Sequence, residues 1–395
     1  MSAVLERPVE RIEAWRSVPP QDVAPLLGEV PAGLRLDRVH FPSRRPVQLT
    51  YAATLRSGET RTLFAEDCGT GTMLHASEVA ASLRKSRHGQ RAGLTRAAIL
   101  ADEVLGLVWR QPGLDERLSG LRLLYDAEGA RRVVAELTGC DPGQVTVDLV
   151  AHRLGKRAVL RIGTGQGDLY ARLSVVKGGE GGGRLARHAA LWRALGPDAA
   201  LRIPQPLGAS PDLGVALFSA LPGQPAAFGR NGAEAIARAL ETLRGLGVED
   251  LPKHGGSDEA KLLEEWLGRC RVYLPDLAER LETPVAKACD ALARSDTEFV
   301  LCHRDLHEKQ ILLAGGVAGI LDFDTLSRAH PALDPGNLLA HLCLAGVDER
   351  PLRAALDLRG IGLWRSAALL RLAMIRAFTS APAAAVRRLI DEAAA

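Results

Sequence analysis

Between Phe299 and Asp334 the chain gathers the residue types that carry acid–base and metal chemistry. The apolar run Phe299-Val300-Leu301-Cys302 delivers a polar cluster: His303, Arg304, Asp305 and His307. Two β-like runs follow, Ile311–Leu313 and Val317–Leu321, separated by Ala314-Gly315-Gly316. That pattern predicts a hairpin with a Gly-containing turn. The second run ends on Asp322-Phe323-Asp324. In such a hairpin Gln310 and Asp322 lie nearly opposite each other at the open end. Asp305 sits five residues before Gln310, on the loop feeding the same end. Three oxygen-bearing side chains therefore converge, and oxygen is what a hard divalent cation such as Mg²⁺ takes. A second chemistry fits the same residues. On an extended loop, 303, 305 and 307 alternate onto one side, and with Asp322 and Asp324 they would suit a two-metal hydrolase.

The elements that must position this stretch differ between the two halves of the chain. From Leu34 to Glu66 apolar residues alternate around a Ser57-Gly58 turn, which predicts three strands. A related texture recurs at residues 145–175. Asp37, Val39, Val47 and Leu49 match Asp148, Val150, Ala158 and Leu160 at a constant offset, and Phe64-Ala65 matches Tyr170-Ala171. This reads as a degenerate internal repeat of a small antiparallel sheet. Helices are expected between the two, over Ala76–Arg84, Leu94–Trp109 and Leu118–Leu137. The run Gly178-Gly179-Glu180-Gly181-Gly182-Gly183 precedes a helix at Arg184–Leu195. It lacks the Gly-Lys-Ser/Thr ending of a phosphate-binding loop and reads as a flexible connection. A strand from Gly214 runs into a turn at Pro222-Gly223, which marks a lobe boundary. Beyond it the pattern is helical except for Phe299–Asp334, with separate helices expected at Pro275–Leu281 and Pro284–Ser295. The division expected is an N-terminal extension over residues 1–110, a β-rich lobe over 111–222 and a helical lobe over 223–395.

Composition narrows the function classes. The chain has 395 residues, 50 basic against 47 acidic, for a net charge of +3. That balance argues against nucleic acid or an anionic membrane as partner. Cys68, Cys140, Cys270, Cys289, Cys302 and Cys343 are scattered, without a CxxC pair or zinc spacing. Charges fall where a signal peptide needs an apolar core, and no run approaches the ~20 apolar residues of a membrane helix. A cytoplasmic protein is expected.

The stretch HRDLHEKQ…LDFD resembles the aminoglycoside phosphotransferase and choline kinase group of the protein-kinase-like superfamily. The motif of that group is His-x-Asp, then Asn or in some branches Gln five residues on, then an Asp ending a hairpin strand. Here these are His303, Asp305, Gln310 and Asp322. Pro331-Ala332-Leu333-Asp334 followed by Gly336-Asn337-Leu338 looks like the segment that braces the catalytic loop. The resemblance implies a bilobal α+β fold with an antiparallel-sheet N-terminal lobe and a mainly helical C-terminal lobe, here with an extra β-containing N-terminal region. It implies ATP and Mg²⁺, and transfer of the γ-phosphate to a hydroxyl of a small molecule such as a sugar, aminoglycoside or amino alcohol. Asp305 would orient or deprotonate that hydroxyl. Asp322 and Gln310, with help from Asp324, would hold Mg²⁺ on the phosphates. His303 and Asp334 would hold the loop. On the nucleotide side the resemblance implies a strand-end cation, Arg172 or Lys177. It places the turn Leu154-Gly155-Lys156-Arg157 over the phosphates and backbone from Ser219 to Leu221 against the adenine. One departure stands out: the following helix of the family offers a Glu to the cation, where this chain has His188. That departure keeps open a kinase-like protein that binds nucleotide without catalysis.

Overall fold

The computed structural model describes residues 8–85, 98–176, 180–295, 298–356 and 360–394. The chain falls into two compact units. One comprises Met1–Gly182, Leu207–Ser219 and Phe378–Ala381, the other Gly183–Pro206, Ala220–Ala377 and Pro382–Ala395.

The first unit is built on two five-stranded sheets. In the first sheet Gly33–His40, Val47–Thr54 and Thr60–Asp67 form an antiparallel meander. Leu107–Arg110 pairs with the third strand, and Ile99–Asp102 forms the edge. In the second sheet Thr146–Arg153, Arg157–Thr164 and Gly167–Ser174 form the meander. Val215–Ser219 pairs with its third strand, and Pro206–Ser210 is the edge. The strands connect in the same order in both sheets. In both, the first strand slips by one residue at the same place, between Leu36 and Arg38 and between Leu149 and Ala151. Such a bulge bends and twists a strand locally.

Large apolar side chains fill the first unit. Tyr51 and Trp109 pack with ring centroids 4.8 Å apart, and the Tyr51 hydroxyl donates to the Trp15 carbonyl at 2.8 Å. Leu121, Val134 and their neighbours cover one face of the second sheet against Leu160, Ile162, Leu173 and Leu217. Two helix expectations fail here. The described part of Leu94–Trp109 carries the strands Ile99–Asp102 and Leu107–Arg110. Leu107, Val108 and Trp109 are all buried, and a short run buried on both faces has no period to separate strand from helix. Leu118–Leu137 is not one helix. A 3₁₀ segment, Ser119–Tyr125, precedes the helix Ala127–Thr138, whose Asp126 side chain accepts from the Gly129 amide as an N-cap.

The second unit is mainly helical, around two small sheets. The expected hairpin is present as Ile311–Ala314 and Val317–Ile320. Its two turn residues, Gly315 and Gly316, both have positive φ, 58° and 76°. That is the tight mirror-image turn whose twist suits a two-residue hairpin. Leu201–Arg202 and Gln224–Pro225 extend this sheet on either side. Val300–Cys302 and Lys253–His254 flank the strand Ser327–Ala329 in the other. The helices expected at Pro275–Leu281 and Pro284–Ser295 are a single helix, Pro275–Ala293, with Pro284 inside. Leu281, Val285, Ala288 and Leu292 form a buried stripe that crosses the proline. Burying those side chains outweighs the roughly 3 kcal/mol that an interior proline costs. Helix Leu333–Ala345 meets helix Ile361–Ala377 at Gly336. A Cβ there would lie 2.8 Å from the Arg365 nitrogen and from backbone and side-chain carbons of Trp364. Among the described residues no helix is long and apolar enough to cross a membrane.

Candidate active site

Asp305, Gln310, Asp322 and Asp324 all belong to the second unit. Strand Val300–Cys302 ends on His303, and the chain then leaves the sheet through Arg304, a non-glycine residue at φ 74°. Asp322, where the hairpin ends, is also left-handed at φ 66°. Only three non-glycine residues have positive φ among the described residues, and two of them bracket this site. Such backbone costs about 1–2 kcal/mol per residue and persists only where surrounding bonds hold it.

Those bonds are visible. Asp334, on the first turn of its helix and 2% exposed, accepts from two consecutive amides. The His303 amide donates to its Oδ2 and the Arg304 amide to its Oδ1, both at 2.7 Å. Burial pushes the Asp334 carboxyl up from its usual range, while His303 and the two amides pull it down. His303 is fully buried. Its Nδ1 accepts from the Asp305 amide at 3.3 Å, so Nε2 carries the proton and donates to the Leu321 carbonyl at 2.8 Å. This imidazole ties the catalytic-type loop to the end of the hairpin, next to Asp322. Thr325 Oγ1 donates to the His303 carbonyl at 2.8 Å, and Asn337 Nδ2 to the Arg304 carbonyl at 3.1 Å. Each backbone group of the sharp bend therefore has a partner.

Gln310 caps the short turn Glu308–Gln310. Its Oε1 accepts from the His307 amide at 3.1 Å, and its backbone carbonyl accepts from the Leu321 amide at 2.9 Å. The side-chain oxygen retains a second lone pair. Phe323, between Asp322 and Asp324, is buried. His303 lies 4.8 Å away and His188 5.9 Å away, ring centre to ring centre. His188 Nε2 donates to the Pro204 carbonyl at 2.7 Å. The helix position where a carboxylate was sought thus carries a buried imidazole packed on the hairpin end.

A second polar layer lies behind the loop, and sequence reasoning missed it. Glu259 bonds His254 Nε2 at 2.9 Å and pairs with Arg371 at 3.0 Å. Arg371 donates to Asn337 Oδ1 at 2.6 Å, and so reaches the bond to the Arg304 carbonyl. Burial works against the Glu259 charge, but Arg371 and the His254 bond outweigh it and bring its carboxyl to about 2. The only signal in the sequence was Arg371 itself, a charge interrupting an apolar helix. His307 and His341 pack with ring centres 5.2 Å apart. Burial lowers the basicity of both, and His341 is brought down to about 4 with His307 and Arg371 adding to the effect.

The remaining candidates lie elsewhere. Arg172 sits on Gly167–Ser174, opposite Val159 and Ala216. Ser219 ends the neighbouring strand opposite Leu169. Gly155 and Lys156 form the turn between the first two strands of the second sheet, closed by a Lys156 amide to Arg153 carbonyl bond of 3.0 Å. All four belong to the first unit. Leu221 belongs to the second, where its side chain fills the space that a Cβ on Gly319 would take. Lys177 lies outside the described residues, as do Gly178 and Gly179 of the glycine-rich run. A cavity of about 430 Å³ in the first unit, lined by Phe64, Gln111, Leu149 and His152 among others, contains none of the candidates. All six cysteines are free.

Comparison with known proteins adds independent findings. No curated protein matches the chain. Among solved structures, a choline/ethanolamine kinase family protein from Mesorhizobium loti is 17% identical, with a TM-score of 0.49 over 67% of this chain and 91% of that one. The macrolide 2'-phosphotransferase MphH from Brachybacterium faecium is 16% identical, with a TM-score of 0.43 over 68% and 97%. Aminoglycoside phosphotransferase APH(3'')-Id from Streptomyces rimosus is 22% identical, with a TM-score of 0.41 over 66% and 98%. The sequence model of the phosphotransferase enzyme family, APH, matches residues 149–370, a span that takes in the whole His303–Asp334 loop and hairpin. With more than half of its length matched, the chain belongs to the APH phosphotransferase enzyme family.

Proposed function

We propose that this phosphotransferase moves the γ-phosphoryl group of ATP to a hydroxyl of a small molecule, with Asp305 as the base. The observation that carries the reading is the loop held by Asp334 and His303. It carries Asp305 and ends beside the strained Asp322, with Gln310 between them in sequence and bonded to His307 on the loop and Leu321 on the hairpin. Phosphoryl transfer asks the protein for positioning and charge neutralisation more than for covalent chemistry. A rigid bend that presents a carboxylate suits that demand. Asp305 would orient the acceptor hydroxyl and take its proton as the oxygen attacks phosphorus.

The donor set fits a magnesium ion. Asp322 and Asp324 are carboxylates, Gln310 can supply its free lone pair, and all are the hard oxygen donors that Mg²⁺ takes. Among the described residues no group of three or more His, Cys, Asp or Glu is poised to hold a metal by itself. Mg²⁺ typically takes one or two protein carboxylates and completes its octahedron with substrate phosphates and water. Bound there, the ion would neutralise phosphate charge. We also assign Arg172 and the Gly155-Lys156 turn to the phosphates, and backbone from Ser219 to Leu221 to the base. Lys177 is the alternative to Arg172. We read the sheet of residues 33–110 as a degenerate copy of the nucleotide sheet, from the shared strand order and the shared bulge.

The hydrolase reading loses support from the same geometry. His303 spends both ring nitrogens on protein partners, so it has no lone pair for a metal.

The test is thermal stabilisation by ATP with Mg²⁺ against Mn²⁺ or Zn²⁺ alone, followed by ATP turnover with a library of hydroxyl compounds. Stabilisation that needs nucleotide is expected. Asp305→Asn should keep nucleotide binding and lose about a thousandfold or more in turnover, as removal of a positioned base does. Undiminished turnover in Asp305→Asn refutes the assignment. Turnover absent from the wild type across a broad acceptor set, with binding intact, favours the non-catalytic alternative.

A further inference from the structure

The segment Gln111–Arg117, which leaves the first sheet, holds the turn between the first two strands of the second sheet by its main chain. Asp115 is fully buried. Its Oδ2 accepts from the Gly155 amide at 2.5 Å and from His152 Nε2 at 3.1 Å. Its Oδ1 accepts from the Arg117 amide at 3.0 Å. Arg117 Nη1 in turn donates to the Gly155 carbonyl at 2.8 Å. Both polar groups of one residue in an exposed-type hairpin turn are therefore bonded to one short segment. His152 is fixed at its other nitrogen, which accepts from the Gly113 amide at 3.2 Å.

The holding segment is itself anchored in the first sheet. Arg110, the last residue of strand Leu107–Arg110, is fully buried between two acids. It pairs with Glu66 on the neighbouring strand and with Glu116 at 2.7 Å. Glu66 also bonds His75 and Gln48. The chain of contacts runs from strand Thr60–Asp67 through Arg110 and Glu116 to their neighbours Asp115 and Arg117, and then to Gly155. Gly155 has φ 62°, and a Cβ on it would lie 2.7 Å from Arg45 Nη1, on the loop after the first strand of the first sheet. The glycine is required by its backbone angle, whereas the Arg45 guanidinium ends a flexible side chain and could move aside.

We infer that Asp115 and Arg117 are positioning residues through which the N-terminal sheet sets the conformation of the 153–157 turn, and with it the affinity for the phosphates of ATP. The inference rests on the nucleotide reading proposed above. Its physical basis is preorganisation: a glycine turn held in one conformation has already lost the entropy that binding would otherwise remove. Leaving one residue to be ordered on binding weakens affinity about tenfold. The N-terminal extension is then part of the nucleotide-binding machinery.

The experiment is titration of the full-length protein with Mg·ATP by calorimetry, with hydrogen exchange read at the Gly155 amide. Arg117→Met should bind about tenfold more weakly, with faster exchange at Gly155 and an unchanged melting temperature. Arg117→Lys, which can still donate to the carbonyl, should recover part of the affinity. Asp115→Asn should show the same weaker binding and faster exchange together with a lower melting temperature, because its buried carboxylate accepts three bonds; Arg117→Met carries the test if that variant fails to fold. Equal affinity of Arg117→Met and a wild type that binds Mg·ATP overturns the inference alone. A wild type that does not bind Mg·ATP overturns the nucleotide reading, and the role of the clamp with it.

Discussion

Replacing Asp334 with Asn probes the bond pair that the whole loop depends on. The wild-type carboxylate accepts from the His303 and Arg304 amides at 2.7 Å each. A hydrogen bond to a charged group contributes about 1.5–3 kcal/mol. In Asp334→Asn one oxygen still accepts, but the amide nitrogen faces an N–H, so one bond is lost and a buried donor is stranded. That alone costs about 2–4 kcal/mol. The loss is partly offset, because burial already raises the Asp334 carboxyl, so the ion carries its own desolvation cost. The net expectation is about 2 kcal/mol of stability, read as a lower urea midpoint at unchanged slope. The loss should also release Arg304 from its left-handed backbone, so turnover should fall more than stability does. Asp305→Asn serves as the control and should leave the midpoint in place. A stability within about 0.5 kcal/mol of wild type would refute the claim that this pair holds the bend, since distant surface changes reach that size.

Other expectations follow from packing and from pH. Gly336→Ala should destabilise by about 1–3 kcal/mol, because its Cβ meets backbone of the facing helix at 2.8 Å and neither helix can yield cheaply; a midpoint equal to wild type would show that the helices separate freely there. His341 is held near a pKa of about 4, so between pH 6.5 and 4 the unfolded chain takes a proton that the folded one refuses. Its contribution is therefore present above pH 6.5 and lost as pH falls, by about 2 kcal/mol at pH 5. Urea unfolding of wild type and His341→Gln at pH 7.5 and pH 5 should show the wild type losing that much more, and parallel losses would contradict it.

Local residue order was enough to expose the catalytic-type loop and its hairpin. Asp305, Gln310, Asp322 and the Gly315-Gly316 turn lie within 18 residues of one another, so spacing alone leads one to expect them at one end of the hairpin once two strands and a tight turn are recognised. The loop-holding roles of His303 and Asp334 were expectations of the family resemblance, not of local spacing; Asp334 lies about thirty residues beyond the amides it accepts from. The three-strand meander was legible at both Leu34–Glu66 and residues 145–175, because alternation in half-buried strands is a local signal.

Tertiary structure decided what depends on partners distant in sequence or on burial from two sides. The Ile99–Asp102 and Leu107–Arg110 strands were hidden because full burial removes alternation. Pro284 looked like a helix break, but a stripe of apolar residues packed across it keeps one helix running. Glu259, Arg371 and His254 support the loop from far along the chain, and only packing brings them to Asn337. The same holds for Asp115, an unremarked acid in a linker. Its meaning arises only when the fold buries it beneath Gly155. A charge in a linear sequence reads as solvated surface, and only desolvation beside a specific partner turns it into a structural bond.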